Sequence, residues 1–187
     1  SRAVESMSEG ELLQIEKARR LDITEEVYFD IIRRKTASLI AACCAAGAAS
    51  AGADEDRVEH MRAFGEAVGI AFQIKDDLLD FAPTSATGKP KGGDLKERKM
   101  TLPLIHTLQQ QSGGRRRSMV RDIKRSADRP EAAARLLEDI QSGPGIAYAE
   151  SKMAEYRDRA VAMLDALPES PARAALADLV EFTTSRN

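Results

Sequence analysis

Three aspartates stand within five positions of "FQIKDDLLDF", residues 72–81, inside the most hydrophobic helix-forming stretch of the chain. Taking a carboxylate out of water costs several kcal/mol unless a cation or hydrogen-bond donors compensate it. Any fold built on this segment must supply that compensation or leave Asp76, Asp77 and Asp80 at a polar surface. On a helical wheel Gln73, Asp76, Asp77 and Asp80 share a sector of roughly 100°, with Gly69 on the same stripe one turn earlier. The remaining circumference carries Met61, Phe64, Val68, Ala71, Phe72, Ile74, Leu78, Leu79 and Phe81, with Lys75 the main exception. A surface helix shows the opposite balance. The stripe is therefore expected to face a polar cavity inside a helical bundle, or a bound cation.

Helical periodicity dominates elsewhere and no period-two alternation persists, which predicts an all-α fold. Helices are expected over about 4–20, from "DITEE" to about 50, over about 55–82, from "TLPLIHTLQQ", and over about 116–126, 129–141, 146–167 and 170–184. Asp22 and Thr24 are candidates to cap the second of these. Residues 83–99, "PTSATGKPKGGDLKERK", read as a loop. Without repeats or a composition break, 1–187 reads as belonging to a single domain.

Composition narrows the function classes. With 187 residues, 43% of them hydrophobic and 31% charged, the chain can bury a sizeable core and is not a disordered sequence. A net charge of −2 provides no bulk field for nucleic acid or an anionic membrane. The basic run "RRRSMVRDIKR" has no interleaved aromatics and reads as a solvated face. No segment approaches the roughly 18 apolar residues of a membrane span, and no secretory signal opens the chain. Cys43 and Cys44 are adjacent among small residues, which predicts reduced, buried, structural thiols in a cytoplasmic protein. His60 and His106 lack partners at zinc spacing, and no nucleophile-elbow or Walker loop is present.

Carboxylates at i and i+4 are hard oxygen ligands at a spacing one divalent ion can bridge. Mg²⁺ binds through one or two such groups and completes its octahedron with water and phosphate oxygens. The plain alternative is a solvated acidic patch. Lys35 follows Tyr28 and Ile31 and precedes Leu39 at helical spacing, so it is expected on an apolar face. There it either contacts a diphosphate or snorkels to the surface. Lys89, Lys91, Asp94, Lys96 and Lys99 lie in the loop after the stripe, either as a lid over phosphate or as a solvated linker.

Taken in order, "YFDIIRRKTASLIAACCAAGA", "GIAFQIKDDLLDF" and "GKPKGGDLKERKMTLPLI", with "SMSEGELLQIE" upstream, resemble the C-terminal part of the trans-isoprenyl diphosphate synthases, or polyprenyl synthetases. The resemblance spans the whole chain. It implies an all-α isoprenoid-synthase bundle, usually a homodimer, with two aspartate-rich motifs facing each other across a deep apolar cavity and Mg²⁺ bridging them to an allylic diphosphate. It implies ionisation of that diphosphate, attack by isopentenyl diphosphate on the allylic cation, and loss of a proton. By the same resemblance Asp76 and Asp80 are metal ligands supported by Asp77, with Asp94 behind them. Lys35 and Lys89 hold the allylic diphosphate, Thr36 and Gln73 assist at the reacting end, Phe72 lies beside the isopentenyl group, and Lys99 steadies the loop.

The family's first aspartate-rich motif and its basic isopentenyl-binding segment are absent, and Arg98 stands where the family often has glycine. Because the chain opens inside an amphipathic helix, it is expected to be the C-terminal portion of a longer synthase, lacking the N-terminal helices. On its own it would be inactive or nearly so and would expose apolar surface. The competing expectations are a non-catalytic helical partner subunit and a terpene cyclase. The K-T pair and the lysine loop favour chain elongation over the cyclase.

Overall fold

A computed structural model describes residues 2–20, 23–82 and 92–185, and every element among them is helical. In chain order these are α1 (Arg2–Arg20), α2 (Glu25–Ile32), a π-helical turn (Arg33–Ala37), α3 (Ser38–Ser50) and α4 (Glu55–Leu79). They are followed by α5 (Gly93–Lys96), α6 (Leu102–Gln109), α7 (Gly113–Arg125), α8 (Pro130–Ser142), α9 (Gly145–Met163), a 3₁₀ turn (Leu164–Ala166) and α10 (Pro171–Ser185). The starts are set by local chemistry. Thr24 Oγ1 accepts the Val27 N–H, Asp54 Oδ1 the Arg57 N–H and Ser170 Oγ the Arg173 N–H, each satisfying a donor the helix leaves open. Pro130 opens α8, where its missing N–H costs nothing. Of the two cap candidates for α2, Asp22 lies outside the described residues.

The described residues group into two units, one made of 2–12, 29–75 and 152–185 and the other of 13–20, 23–28, 76–82 and 92–151. In the first, Phe64, Ala67 and Val68 of α4 bury against Ala160, Leu164 and Val180, with Met61, Tyr156 and Leu176 around them. In the second, α6 is buried along almost its whole length, and α8 turns Ala132, Leu136 and Ile140 inward at four-residue spacing. Each large aliphatic side chain buried in this way contributes about 2 kcal/mol. Val4, Leu12, Ile15, Leu39, Leu179 and Phe182 are the large apolar residues that remain exposed among those described.

Two expectations are corrected. Uniform helical spacing had placed Lys35 and Leu39 on the apolar face with Tyr28 and Ile31. Five residues from Arg33 to Ala37 instead form a π turn, and the buried positions are Tyr28, Ile31 and Ile32, then Ala37, Ala41 and Ala45, with a step of five from Ile32 to Ala37. The wider turn rotates Leu39 to the exterior, where it is 43% exposed, and leaves Lys35 half-buried. Cys43 is likewise exposed rather than buried. Cys44, on the face of Ala41 and Ala45, is half-buried rather than buried, and that partial burial raises its thiol pKa. Both cysteines are free thiols.

The C-terminus of α5 carries a further device. The Lys99 N–H donates to Asp94 O at 2.9 Å and the Arg98 N–H to Leu95 O at 3.1 Å, the paired bonds of a Schellman ending. That ending requires a left-handed residue, and Arg98 occupies it at φ 57°. Its Nε is buried without a partner, and its ion pair at 3.3 Å reaches an exposed Asp128. Left-handed backbone costs a side-chain-bearing residue about 1 kcal/mol, more than an exposed ion pair returns. Arg98→Gly is therefore expected to stabilise the fold by about 0.5 kcal/mol, read from urea denaturation midpoints. A destabilised variant would show that the arginine stem contributes more packing than the strain removes.

Candidate functional site

The second unit collects most of the predicted acids. Asp77 is buried, and its Oδ2 accepts the Tyr28 phenol at 2.7 Å. Asp76, one position earlier and about 100° around the helix, is exposed. Asp80 is half-buried beyond the last α-helical residue. Its Oδ2 accepts the Asp94 N–H at 3.2 Å, and its backbone carbonyl accepts the Gly92 N–H at 3.1 Å. The approach at Gly93 is close, since a Cβ there would stand 3.3 Å from Asp80 Oδ1. Asp94 in turn receives the Lys99 ammonium at 2.8 Å, and Lys99 also pairs with Glu97 at 2.9 Å.

These contacts shape the protonation equilibria. Burial pushes Asp77 up to about 7; the Tyr28 hydrogen bond pulls it down, Asp94 and Asp76 push it further up, and Lys99 opposes them. Burial, then the charge of Asp94, raises Asp80 as well, against the N–H groups of Asp94 and Gly93. Burial lifts the Tyr28 phenol well above its ordinary value, and the Asp77 carboxylate lifts it further. For Lys99 burial disfavours the charge, but the hydrogen bonds it donates to Asp94 and Glu97 outweigh it and raise the pKa.

A carboxyl whose pKa rises on folding keeps its proton in the native state after the unfolded chain has released it. Stability contributed by the protonated Asp77 is thus full below its ordinary 3.8, declines as pH rises toward about 7, and is flat above. In EDTA, the urea midpoint of the protein is expected to fall between roughly pH 5 and 7, and Asp77→Asn to flatten that slope. An unchanged slope in Asp77→Asn would assign the pH dependence to other groups.

The first unit holds the other predicted positions. Thr36 Oγ1 donates to Gln73 Oε1 at 2.7 Å, so two residues far apart in sequence are brought together. Lys35 Nζ pairs with Glu11 Oε2 at 2.7 Å, and α1 lies close over the π turn, since a Cβ on Gly10 would meet Lys35 N at 2.7 Å. Arg34 pairs with Asp30 at 2.9 Å and Glu9 at 3.1 Å, and Arg33 with Glu66 at 3.2 Å. Phe72 is half-buried. Lys89 and Lys91 lie outside the described residues.

Sequence reasoning missed Tyr28 and Glu11 as neighbours of site residues. Tyr28 carried only the signal of an apolar position, and Glu11 looked like any surface acid of an amphipathic helix. Among the described residues no group of three or more His, Cys, Asp or Glu side chains is disposed to hold a metal ion. Asp77 is buried against Tyr28 and Asp94 pairs with Lys99, whereas Asp76 is exposed and Asp80 half-buried. Two carboxylates are a donor set that fits Mg²⁺, which leaves most of its sites to water and phosphate. No described helix is long and apolar enough to cross a membrane.

A family model described as polyprenyl synthetase matches residues 1–140. The chain is 37% identical over 188 residues to heptaprenyl diphosphate synthase component 2 of Geobacillus stearothermophilus, an alignment covering 100% of this chain and 58% of that protein. It superposes on the geranylgeranyl pyrophosphate synthase of Bacteroides thetaiotaomicron with a TM-score of 0.89 and 37% identity, over 98% of this chain and 61% of that one. A polyprenyl synthase from Caulobacter crescentus, solved in complex with calcium and isoprenyl diphosphate, gives a TM-score of 0.89 at 36% identity, over 100% and 57% of the two chains. The chain thus spans little more than half the length of the relatives it matches.

Proposed function

This chain belongs to the polyprenyl synthetase family, and from that premise we propose that it is the C-terminal part of a single trans-isoprenyl diphosphate synthase domain. The reaction is condensation of isopentenyl diphosphate with an allylic diphosphate to a linear polyprenyl diphosphate. The observation that carries the reading is the acidic stripe: one aspartate is locked inside by a tyrosine while its neighbour Asp76 is left open to solvent.

Asp76 and Asp80 would hold Mg²⁺, with Asp77 and Asp94 supporting them. Bound there, the metal would neutralise the allylic diphosphate and stabilise it as a leaving group. Lys35 and Lys89 bind that diphosphate as compact cations. Lys35 Nζ is held by the Glu11 carboxylate 2.7 Å away. Thr36 and Gln73, already joined by a hydrogen bond, orient each other at the reacting end. Phe72 presents an apolar face to the isopentenyl group, and Lys99 ties the segment after the loop to Asp94.

The assembly we propose is a homodimer in the cytoplasm. A second reading, a non-catalytic helical subunit that modulates a catalytic partner, draws support from the relative whose name marks it as one component of a synthase. The test is incorporation of labelled isopentenyl diphosphate into farnesyl diphosphate by the full-length protein, with Mg²⁺ and with EDTA. Magnesium-dependent product is expected. Tight magnesium-dependent diphosphate binding without product would favour the subunit reading, and absence of such binding by the folded protein would sink the enzymatic one.

A further inference from the structure

The acidic stripe crosses a change of helix type. α4 is α-helical as far as Leu79. The following bonds, Asp80 N–H to Asp77 O at 3.3 Å, Phe81 N–H to Leu78 O at 3.1 Å and Ala82 N–H to Leu79 O at 3.2 Å, all close three-residue turns. Along an α-helix residues four apart lie about 40° from each other around the axis, but in a 3₁₀ turn about 120°. Whether Asp76 and Asp80 converge therefore depends on what holds the final turn in one setting.

Two bonds hold it. One is the backbone N–H of Asp94, 3.2 Å from Asp80 Oδ2, from a helix only four residues long. The other is the phenol of Tyr28, 2.7 Å from Asp77 Oδ2, with both residues buried and 49 positions apart in the chain. A hydrogen bond to a carboxylate is about twice as strong as one between neutral groups. The base of this second tether is itself fixed. Glu25, in the first turn of α2, accepts the Tyr148 phenol at 2.6 Å, and Thr24 caps the same turn.

We propose that Tyr28 is a positioning residue for the magnesium site: its hydroxyl sets the rotation of the last turn of α4 and so aims the Asp76 and Asp80 carboxylates at one ion. Tyr28 touches neither metal nor substrate. The proposal rests on the reading that the stripe binds Mg²⁺, and the experiment separates the two.

In the full-length protein, wild type, Tyr28→Phe and Asp76→Asn are compared by Mg²⁺ titration of turnover, by KM for each diphosphate, by calorimetric binding of Mg²⁺ with inorganic pyrophosphate, and by thermal midpoint in EDTA. Tyr28→Phe is expected to raise the Mg²⁺ half-saturation and weaken pyrophosphate binding by about ten-fold, the usual effect of losing an outer-shell partner. The KM for isopentenyl diphosphate should hold. A lowered midpoint with wild-type Mg²⁺ half-saturation and pyrophosphate binding would reduce Tyr28 to a packing residue and overturn the proposal. Should Tyr28→Phe not fold, Tyr148→Phe decides: a two- to three-fold rise in half-saturation supports the tether, and no change overturns it. If Asp76→Asn leaves the Mg²⁺ requirement untouched, the stripe is not the metal site and the underlying reading falls first.

Discussion

Replacing Asp76 with alanine is expected to lower magnesium-dependent condensation by the full-length protein by about 10³-fold, while its thermal midpoint in EDTA barely moves. The two halves of this result follow from where the carboxylate sits. Asp76 is exposed, so its truncation opens no cavity and costs at most about 0.5 kcal/mol of stability. It also removes a negative charge that pushes Asp77 upward, which eases the buried acid. For the chemistry the loss is of another order. An allylic diphosphate departs with its negative charge, and a metal held at the right place supplies several kcal/mol of stabilisation to that departure. With Asp76 gone, the proposed ligand pair is reduced to Asp80, whose Oδ2 already accepts a backbone N–H. Initial rates of label incorporation over a wide Mg²⁺ range provide the check. Activity within about ten-fold of wild type at saturating Mg²⁺ would remove Asp76 from the metal's ligands.

How far the sequence reveals such a site depends on whether each feature has a local signal. The long helix around the stripe was legible because twenty-five residues of one period leave little room for another reading. Its conflict with three aspartates was legible because desolvation of a carboxylate does not depend on fold. The π turn was hidden, since it changes the period over five residues only and its outcome, Ala37 buried and Leu39 exposed, runs against hydrophobicity. The burial of Asp77 rather than Asp76 was hidden too. Neighbouring positions on a helix look alike until a partner such as Tyr28 chooses between them. Cys43 and Cys44 pose the same ambiguity, resolved the same way by what α3 packs upon. Of the loop expected over 83–99, residues 83–91 lie outside the described residues and Gly93–Lys96 form a short helix; its ending at Arg98 was not legible, because nothing local marks an arginine as left-handed. Sequence patterns report a residue's own preference; which neighbour it meets is set by the rest of the chain.

That distinction predicts opposite signs for two glycines. Gly69→Ala is expected to destabilise the protein by about 2 kcal/mol and Gly47→Ala to stabilise it by about 0.5–1 kcal/mol. Both are helical, and alanine improves helix propensity by up to about 1 kcal/mol at either. At Gly47 a Cβ meets nothing within 4 Å, so only the propensity gain remains. At Gly69 it would stand 2.6 Å from Ala37 Cα and 2.8 Å from Ala37 Cβ, and one turn away a Cβ on Gly65 would be 2.8 Å from Ala41 Cα. Backbone meets backbone there, so no side chain can swing aside, and α4 must move off the π turn and α3. Overpacking of this kind costs about 3 kcal/mol, which outweighs the propensity gain. The displacement also acts on the proposed site, because Thr36 donates to Gln73 at 2.7 Å and Arg33 to Glu66 at 3.2 Å across the same contact. Gly69→Ala should therefore lose activity beyond its loss of folded protein, seen as a lower kcat after normalising to the native fraction. Urea denaturation of the two variants side by side is the check. Equal and small changes in both would mean that α3 and α4 do not approach as closely in solution, and that the Thr36–Gln73 pair is set by something other than this glycine seam.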